Sequence, residues 1–257
     1  MEVQPVIVTR QLSKSFDSPV LTNINMTVYP GEIIGYIGPN GAGKSTTIKI
    51  LTGIISDFEG EVRVLGYDIR KNPLEVKNGI GYIPENAALY DTLTPIEYIS
   101  FIGQLYKLDD SQTLTKAREL MQVLDLGDHL DSRMTSFSKG MRQKVLLVSG
   151  MIHNPSILFL DEPLSGLDAN SVILVKEILS QLKRSGKTIF YSSHIMDVVE
   201  KISDRIIIIR SGEIIADGSF EELKQHAKSS LEQIFTSLTG DGNHELQAER
   251  FVKILSW

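Results

Sequence analysis

A glycine-rich loop near the amino terminus constrains the fold of this chain more than any other feature. Residues 38–45 read Gly-Pro-Asn-Gly-Ala-Gly-Lys-Ser, after an apolar run at 32–37 and before a helical pattern at 44–51. Strand, glycine loop and helix in this order form an arrangement in which backbone N–H groups surround phosphates at a helix N-terminus. The loop therefore predicts a binding site for a nucleoside triphosphate.

The residue types of the loop support phosphate binding over a purely structural glycine turn. Glycine permits close approach of the backbone, Lys44 brings a cation to the terminal phosphates, and the Ser45 hydroxyl can ligate magnesium. The predicted nucleotide contacts in this segment are Gly38, Pro39, Asn40, Gly41, Ala42, Gly43, Lys44, Ser45 and Thr46.

Two adjacent acids follow a second apolar run, at residues 157–160. In a phosphate-loop fold, an acid at the carboxyl end of such a strand can hold magnesium or its water, which is the role expected for Asp161. Glu162 can then orient and deprotonate the attacking water. The alternative is that both are solvated acids after a strand.

The hydrophobic pattern predicts an α/β fold in which strands alternate with helices around a parallel sheet. Strand patterns occur at residues 3–9, 20–28, 32–37, 61–65, 81–84, 157–160, 188–192 and 205–209. Helical spacing dominates from about 88 to 150, which predicts an inserted helical lobe, and a further helix before Gly186. We expect an ATPase domain at 1–225 and a helical tail at 226–257.

Composition and charge narrow the choice of partners and compartment. The net charge of -6 and the scattered basic residues argue against a nucleic-acid partner. The chain has no cysteine, which excludes disulfides, thiolate metal sites and a cysteine nucleophile. The amino-terminal residues lack the pattern of a signal peptide, and no apolar stretch approaches the roughly 20 residues that cross a bilayer. We expect a cytoplasmic location, with any membrane-spanning part on another chain.

From about residue 6 to 223, the chain resembles the nucleotide-binding subunits of ATP-binding cassette (ABC) transporters. The phosphate loop and the acid pair match the Walker A and Walker B motifs of that family. Three further motifs follow in the family's order: residues 137–143 resemble the signature motif, 165–168 the D-loop, and 193–194 the switch histidine. The resemblance implies a RecA-like P-loop NTPase core, with an N-terminal antiparallel β subdomain and an inserted helical subdomain.

The resemblance also implies roles for single residues. Ser138 and Gly140 would contact the γ-phosphate of ATP held by a second cassette, and Asp168 would contact that cassette. His194 would contact the γ-phosphate in its own subunit, and Phe16 would stack on adenine. The alternatives are helix caps for Ser138 and Asp168, a structural or surface histidine, and a core phenylalanine.

The chain departs from the family pattern at two places. The signature reads Phe-Ser-Lys-Gly-Met instead of Leu-Ser-Gly-Gly-Gln, which introduces Lys139 and Met141. Glu85 stands where most members have glutamine, near the expected magnesium and attacking water, unless it is an ordinary surface residue. Both variants resemble the exporter branch with short, separate membrane subunits (ABC-2 type).

These inferences predict an ATPase with ATP and Mg²⁺ as ligands, located on the cytoplasmic face of the membrane. Its expected partners are membrane-spanning permease subunits and a second cassette, either an identical copy or a related chain. Two other functions remain open at this point: a soluble cassette protein acting on DNA or ribosomes, and a nucleotide sensor without catalysis. Glu162 and His194 argue against the sensor, and the lack of a coiled-coil insertion or second cassette argues against the soluble protein.

Overall fold

The computed structural model describes residues 3–85, 89–224, 230–240 and 244–255. Its strands are β1 (Ile7–Ser15), β2 (Pro19–Val28), β3 (Ile33–Ile37), β4 (Glu59–Val64), β5 (Tyr67–Asp68), β6 (Ile80–Ile83), β7 (Ile157–Asp161), β8 (Thr188–Ser192), β9 (Arg205–Arg210) and β10 (Glu213–Gly218). Its α-helices are α1 (Lys44–Leu51), α2 (Pro73–Gly79), α3 (Pro95–Leu105), α4 (Asp110–Val123), α5 (Lys139–Met151), α6 (Ala169–Arg184), α7 (Met196–Ile202), α8 (Phe220–Lys224), α9 (Leu231–Thr239) and α10 (His244–Leu255).

A six-stranded sheet in the order β10-β9-β3-β8-β7-β6 forms the centre of the molecule. The strands from β9 to β6 are parallel, and β10 pairs antiparallel with β9. Strands β3, β7 and β8 are buried along their whole length, as expected for continuous apolar runs covered on both faces. The predicted α/β class with a mainly parallel sheet is confirmed.

Alternate residues of the same strands enter two different hydrophobic cores. Ile33 and Ile37 of β3 lie in the core shared with the helices α3–α6, whereas Ile34 and Tyr36 lie in the core shared with α1 and the amino-terminal strands. This alternation follows from the two-residue period of a β-strand. The sheet therefore lies between two apolar layers. Loops lie at its carboxyl edge, which is the edge formed by the carboxyl ends of the parallel strands.

The amino-terminal strands form a second sheet, antiparallel, in the order β2-β1-β4-β5. The first strand runs over Ile7–Ser15, so the predicted bounds of 3–9 were wrong. The register of β1 against β2 shifts between Thr9 and Leu12, and Gln11 has a φ of 51°. This irregularity interrupts the alternation of apolar and polar residues, so the pattern in the sequence ends although the strand continues.

The chain segment between β6 and β7 contains three helices, α3, α4 and α5, which pack against one another. Their contact is close, because a Cβ atom added to Gly103 would lie 2.5 Å from the Thr113 side chain. A capping box of Thr94 and Glu97 begins α3, and Asp109 caps α4. The helices agree with the predicted helical segment, whose proposed start at 88 lies outside the described residues.

Several short elements had no counterpart in the sequence prediction. They are the helices α2, α7 and α8 and the strands β5 and β10. Helices of five to seven residues contain too few turns to show a 3.6-residue period, which explains why the pattern missed them.

After α8, the described part of the tail packs partly on the rest of the chain. Leu231 and Ile234 of α9 are buried, and α9 packs on α7. The Leu231 N–H also donates to the Glu200 carboxylate at 3.2 Å. The predicted boundary at 225 and the final residue Trp257 lie outside the described residues. Among those that are described, no helix has the length and apolar character needed to cross a membrane.

Candidate functional site

The predicted phosphate loop connects β3 to α1 at the carboxyl edge of the central sheet. Gly43 occupies the N-cap of α1 with a φ of 107°. A Cβ atom at this position would lie 2.5 Å from Leu21 Cδ2 and 3.0 Å from the Val20 carbonyl oxygen. A Cβ atom at Gly38 would lie 2.3 Å from the Ile209 carbonyl oxygen. The glycines are thus needed both for the turn and for its packing against neighbouring strands.

Lys44 lies at the start of α1 and turns its ammonium group back onto the loop. Its Nζ donates to the carbonyl oxygens of Gly38 at 2.7 Å and Pro39 at 3.1 Å. Burial lowers the pKa of Lys44 below its ordinary value. Neighbouring carboxylates raise that pKa and offset part of the effect, namely Glu162, Asp161 and Glu85. A cation and the positive end of a helix therefore lie at the same place, which suits an anionic ligand.

Asp161 is the last residue of β7, and it is almost completely buried. In the parallel register it lies beside Ser192, the last residue of β8. The Ser192 hydroxyl donates to one oxygen of the Asp161 carboxylate at 2.5 Å. The carboxylate is thus held in one orientation by the adjacent strand, and the alternative that Asp161 is a solvated acid is wrong.

Glu162 and His194 are in direct contact, although they are far apart in the sequence. Nδ1 of His194 lies 2.9 Å from Oε2 of Glu162, which is itself largely buried. Glu162 has a φ of 51°, an uncommon conformation for a residue with a side chain. Two backbone hydrogen bonds hold it: its N–H donates to the Ser192 carbonyl at 3.2 Å, and its carbonyl accepts from Ser165 N–H at 3.1 Å.

These groups line one open cavity of about 790 Å³. Its lining residues are Phe16, Val20, Asn40, Gly41, Gly43, Lys44, Ser45, Thr46, Glu85, Asp161, Glu162 and His194. All but Val20 were selected from the sequence. Val20 lies in β2 among other apolar residues, and no signal in the sequence distinguishes it from them.

Two residues with open alternatives, Phe16 and Glu85, contribute exposed side chains to this cavity. Phe16 is 60% exposed, so the alternative of a core phenylalanine is wrong. The Lys14 ammonium lies 4.7 Å from the centre of its ring. Glu85 is exposed and its side chain also lines the cavity, and its role near a metal ion stays a prediction.

Six residues selected from the sequence do not line the cavity. Gly38, Pro39 and Ala42 belong to the loop behind it, where the first two provide the carbonyls that hold Lys44. The other three are Ser138, Gly140 and Asp168, which lie outside the cavity and are exposed or partly exposed.

Ser138 and Asp168 are both helix caps. The Ser138 hydroxyl accepts from Met141 N–H at 3.2 Å at the start of α5. The Asp168 carboxylate accepts from Ser171 N–H at 3.0 Å and from its hydroxyl at 2.5 Å at the start of α6. These hydrogen bonds lower the pKa of Asp168. The capping alternatives are thus correct for the contacts within this chain.

The donors around the cavity that suit a magnesium ion are oxygens. They are the Ser45 hydroxyl and the carboxylates of Asp161 and Glu85, with Glu162 beside them. Within the described residues, no group of three or more His, Cys, Asp or Glu side chains forms a metal site on its own. A metal ion here would need further oxygen ligands from a bound phosphate or from water.

Comparison with known proteins agrees with this geometry. Residues 21–165 match the family model described as "ABC transporter". The ABC transporter ATP-binding protein NatA of Bacillus subtilis (strain 168) is 38% identical over 217 residues, which are 84% of this chain and 88% of that protein. A solved "ATP binding subunit of ABC transporter" has a TM-score of 0.85 at 30% identity, and the match covers 91% of this chain and 99% of that one.

A second solved structure is similar in fold. It is a dimeric post-hydrolysis state of an ATP-binding cassette bound to ADP and Pi, with a TM-score of 0.78 at 22% identity, and the match covers 83% of this chain and 98% of that one. The matched motifs, the cavity and the relatives together identify the class of protein. The chain belongs to the ABC transporter family: it is an ATP-binding subunit and has the ATPase activity of that family's cassettes.

Proposed function

We propose that this chain hydrolyses ATP in the cavity between the phosphate loop and the ends of β7 and β8. Lys44 and the N–H groups at the start of α1 bind the phosphates, and Phe16 stacks on the adenine. The main support for this proposal is that the phosphate loop, both acids and His194 line one cavity. Such a grouping of cation, carboxylates and helix terminus suits phosphoryl transfer.

The proposed roles of the acids follow from their surroundings. Ser45, Asp161 and Glu85 offer oxygen donors for Mg²⁺, which when bound neutralises charge on the phosphates. Glu162 takes the proton from the attacking water as the bond between the γ-phosphoryl group and ADP breaks. His194 lies 2.9 Å from Glu162, where it can orient the carboxylate and donate to the γ-phosphate.

We further propose that a second cassette completes the site. Ser138, Gly140 and Asp168 lie outside the cavity on surfaces that are at least partly exposed, so they are available to a partner. The N-terminus of α5, which Ser138 caps, has no acidic residue in its first turn and suits a γ-phosphate. The dimeric ADP-bound relative supports such a pair, with an identical or related chain as the second member.

The finer assignments rest on the family membership. We propose that separate permease subunits cross the membrane and that this chain binds them at the cytoplasmic face of the membrane. The two cassettes would move the permease subunits when they close on each other. The signature variant with Lys139 and the acid at Glu85 favour an exporter. We propose an ATPase domain at residues 1–225, with a helical subdomain at about 88–150, and a tail at 226–257.

Mixing two defective variants tests the paired site. Lys44→Ala removes the phosphate-binding cation, and Ser138→Arg places a bulky side chain at the cap of α5. In a mixed pair, one composite site keeps both intact residues, so we expect ATPase activity well above that of either variant alone. The same total concentration of each single variant is the control. If the mixture is no more active than the better single variant, the proposal that two copies of this chain form the paired site is wrong.

A further inference from the structure

Lys139, which marks the departure of this chain from the usual signature, contacts the loop that follows Glu162. Its Nζ donates to the Ser165 hydroxyl at 2.7 Å. Its aliphatic stem covers Gly166, where a Cβ atom would lie 2.8 Å from both Cγ and Cδ of the lysine. Gly166 has a φ of 79°, so the turn beneath the lysine needs glycine for its backbone as well as for the space.

Two neighbouring residues of α5 contact the same loop, residues 163–167. A Cβ atom on Gly140 would lie 2.6 Å from the Gly166 carbonyl oxygen, so the two backbones are in close contact. Further along α5, the Gln143 side chain donates to the Pro163 carbonyl at 3.2 Å. The first turns of α5 therefore support the 163–167 loop at three points, of which only Lys139 supplies a charged donor to a side chain.

The loop in turn holds the backbone of Glu162. Ser165, the residue bonded by Lys139, donates its N–H to the Glu162 carbonyl at 3.1 Å. Glu162 has a φ of 51°, a strained conformation that persists where surrounding contacts impose it. The chain of contacts from Lys139 through Ser165 to Glu162 is therefore continuous and short.

We propose that Lys139 is a positioning residue for hydrolysis, which acts on Glu162 of its own subunit through Ser165. This inference rests on the proposed role of Glu162 as the base. Lys139 is exposed and does not line the cavity of its own subunit. Its hydrogen bond sets where the 163–167 loop lies relative to α5. A change in that position moves the Glu162 backbone and weakens catalysis without weakening ATP binding at the phosphate loop.

The rival role for Lys139 is direct binding of the phosphate held by the second cassette. A double-mutant cycle separates the two roles. Lys139→Met keeps the aliphatic stem over Gly166 and loses the ammonium, and Ser165→Ala removes the acceptor. We expect each single variant to lower kcat by about 3- to 10-fold with KM for ATP nearly unchanged. The kcat of the double variant should be no lower than that of the less active single variant.

Additive losses in the cycle, or a rise in KM with unchanged kcat in Lys139→Met, would overturn the inference. Lys201→Met removes an exposed lysine from α7 and is the matched control, with activity expected at the parent level. Lys139→Arg retains a donor of similar reach and should keep more kcat than Lys139→Met; equal loss in both counts against the hydrogen bond. If the parent protein hydrolyses ATP and Lys139→Met has full kcat, this inference fails alone. If the parent shows no ATPase activity, the proposed function fails first.

Discussion

Replacing Glu162 with glutamine should abolish most turnover while ATP binding persists. Glutamine has nearly the same size, so the backbone bonds to Ser192 and Ser165 and the packing of this buried side chain are retained. The amide cannot take the proton of the attacking water. Loss of a positioned general base typically lowers the rate by about 10² to 10⁴, or about 2.7–5.5 kcal/mol in the activation free energy.

The surroundings of Glu162 explain why binding should survive. The cation that meets the phosphates, Lys44, is held by loop carbonyls at 2.7 Å and 3.1 Å, neither of which belongs to the acid. Three carboxylates raise the pKa of Lys44, and Glu162 raises it most. Glu162→Gln should therefore lower that pKa further. Removing a negative charge near the γ-phosphate site also reduces repulsion of the nucleotide, so the Kd for ATP should stay equal or fall.

The assay is phosphate release at saturating Mg²⁺ and ATP, with nucleotide binding and size-exclusion chromatography measured on the same samples. We expect Glu162→Gln to bind ATP and to accumulate as a paired form, because the γ-phosphate shared by both cassettes is not removed. Glu59→Gln, which changes an exposed acid on β4, is the control. If kcat of Glu162→Gln stays within about threefold of the parent, the residue is not the base and the catalytic assignment is wrong.

Two further predictions concern the phosphate loop. Gly43→Ala should lower the free energy of unfolding by about 2–3 kcal/mol and weaken ATP binding, because the added Cβ combines a φ of 107° with a 2.5 Å contact to Leu21. Gly186→Ala, with a φ of 89° and open space, is its control and should cost about 1 kcal/mol, so equal losses measured by chemical denaturation would contradict the steric argument. As the pH is raised, the Kd for ATP should begin to rise at a pH below the ordinary pKa of a lysine. Burial lowers the pKa of Lys44, and the neutral amine that then forms no longer attracts phosphate. Lys44→Arg should lack this alkaline rise, since guanidinium stays charged, and a rise that persists in that variant would assign it to another group.

The strongly patterned parts of the fold were predictable from the sequence. Strand β8 and helix α1 have the predicted bounds, because a continuous apolar run and a glycine-bounded helical pattern are both local signals. The first strand and the short helices were not predictable in this way. Gln11 interrupts the alternation in β1, and helices such as α2 and α7 are too short to show a period.

The phosphate loop and the acid pair can be identified from the amino-acid sequence alone, since each motif is a run of adjacent residues whose spacing carries the chemistry. Which distant residues meet depends on the tertiary structure. The parallel pairing of β7 with β8 brings Ser192 to Asp161 and His194 to Glu162, and α5 brings Lys139 to Ser165. The order of strands in a sheet and the packing of a helix depend on long-range apolar contacts. No local pattern in the chain encodes them, and so these contacts become visible only in the folded structure.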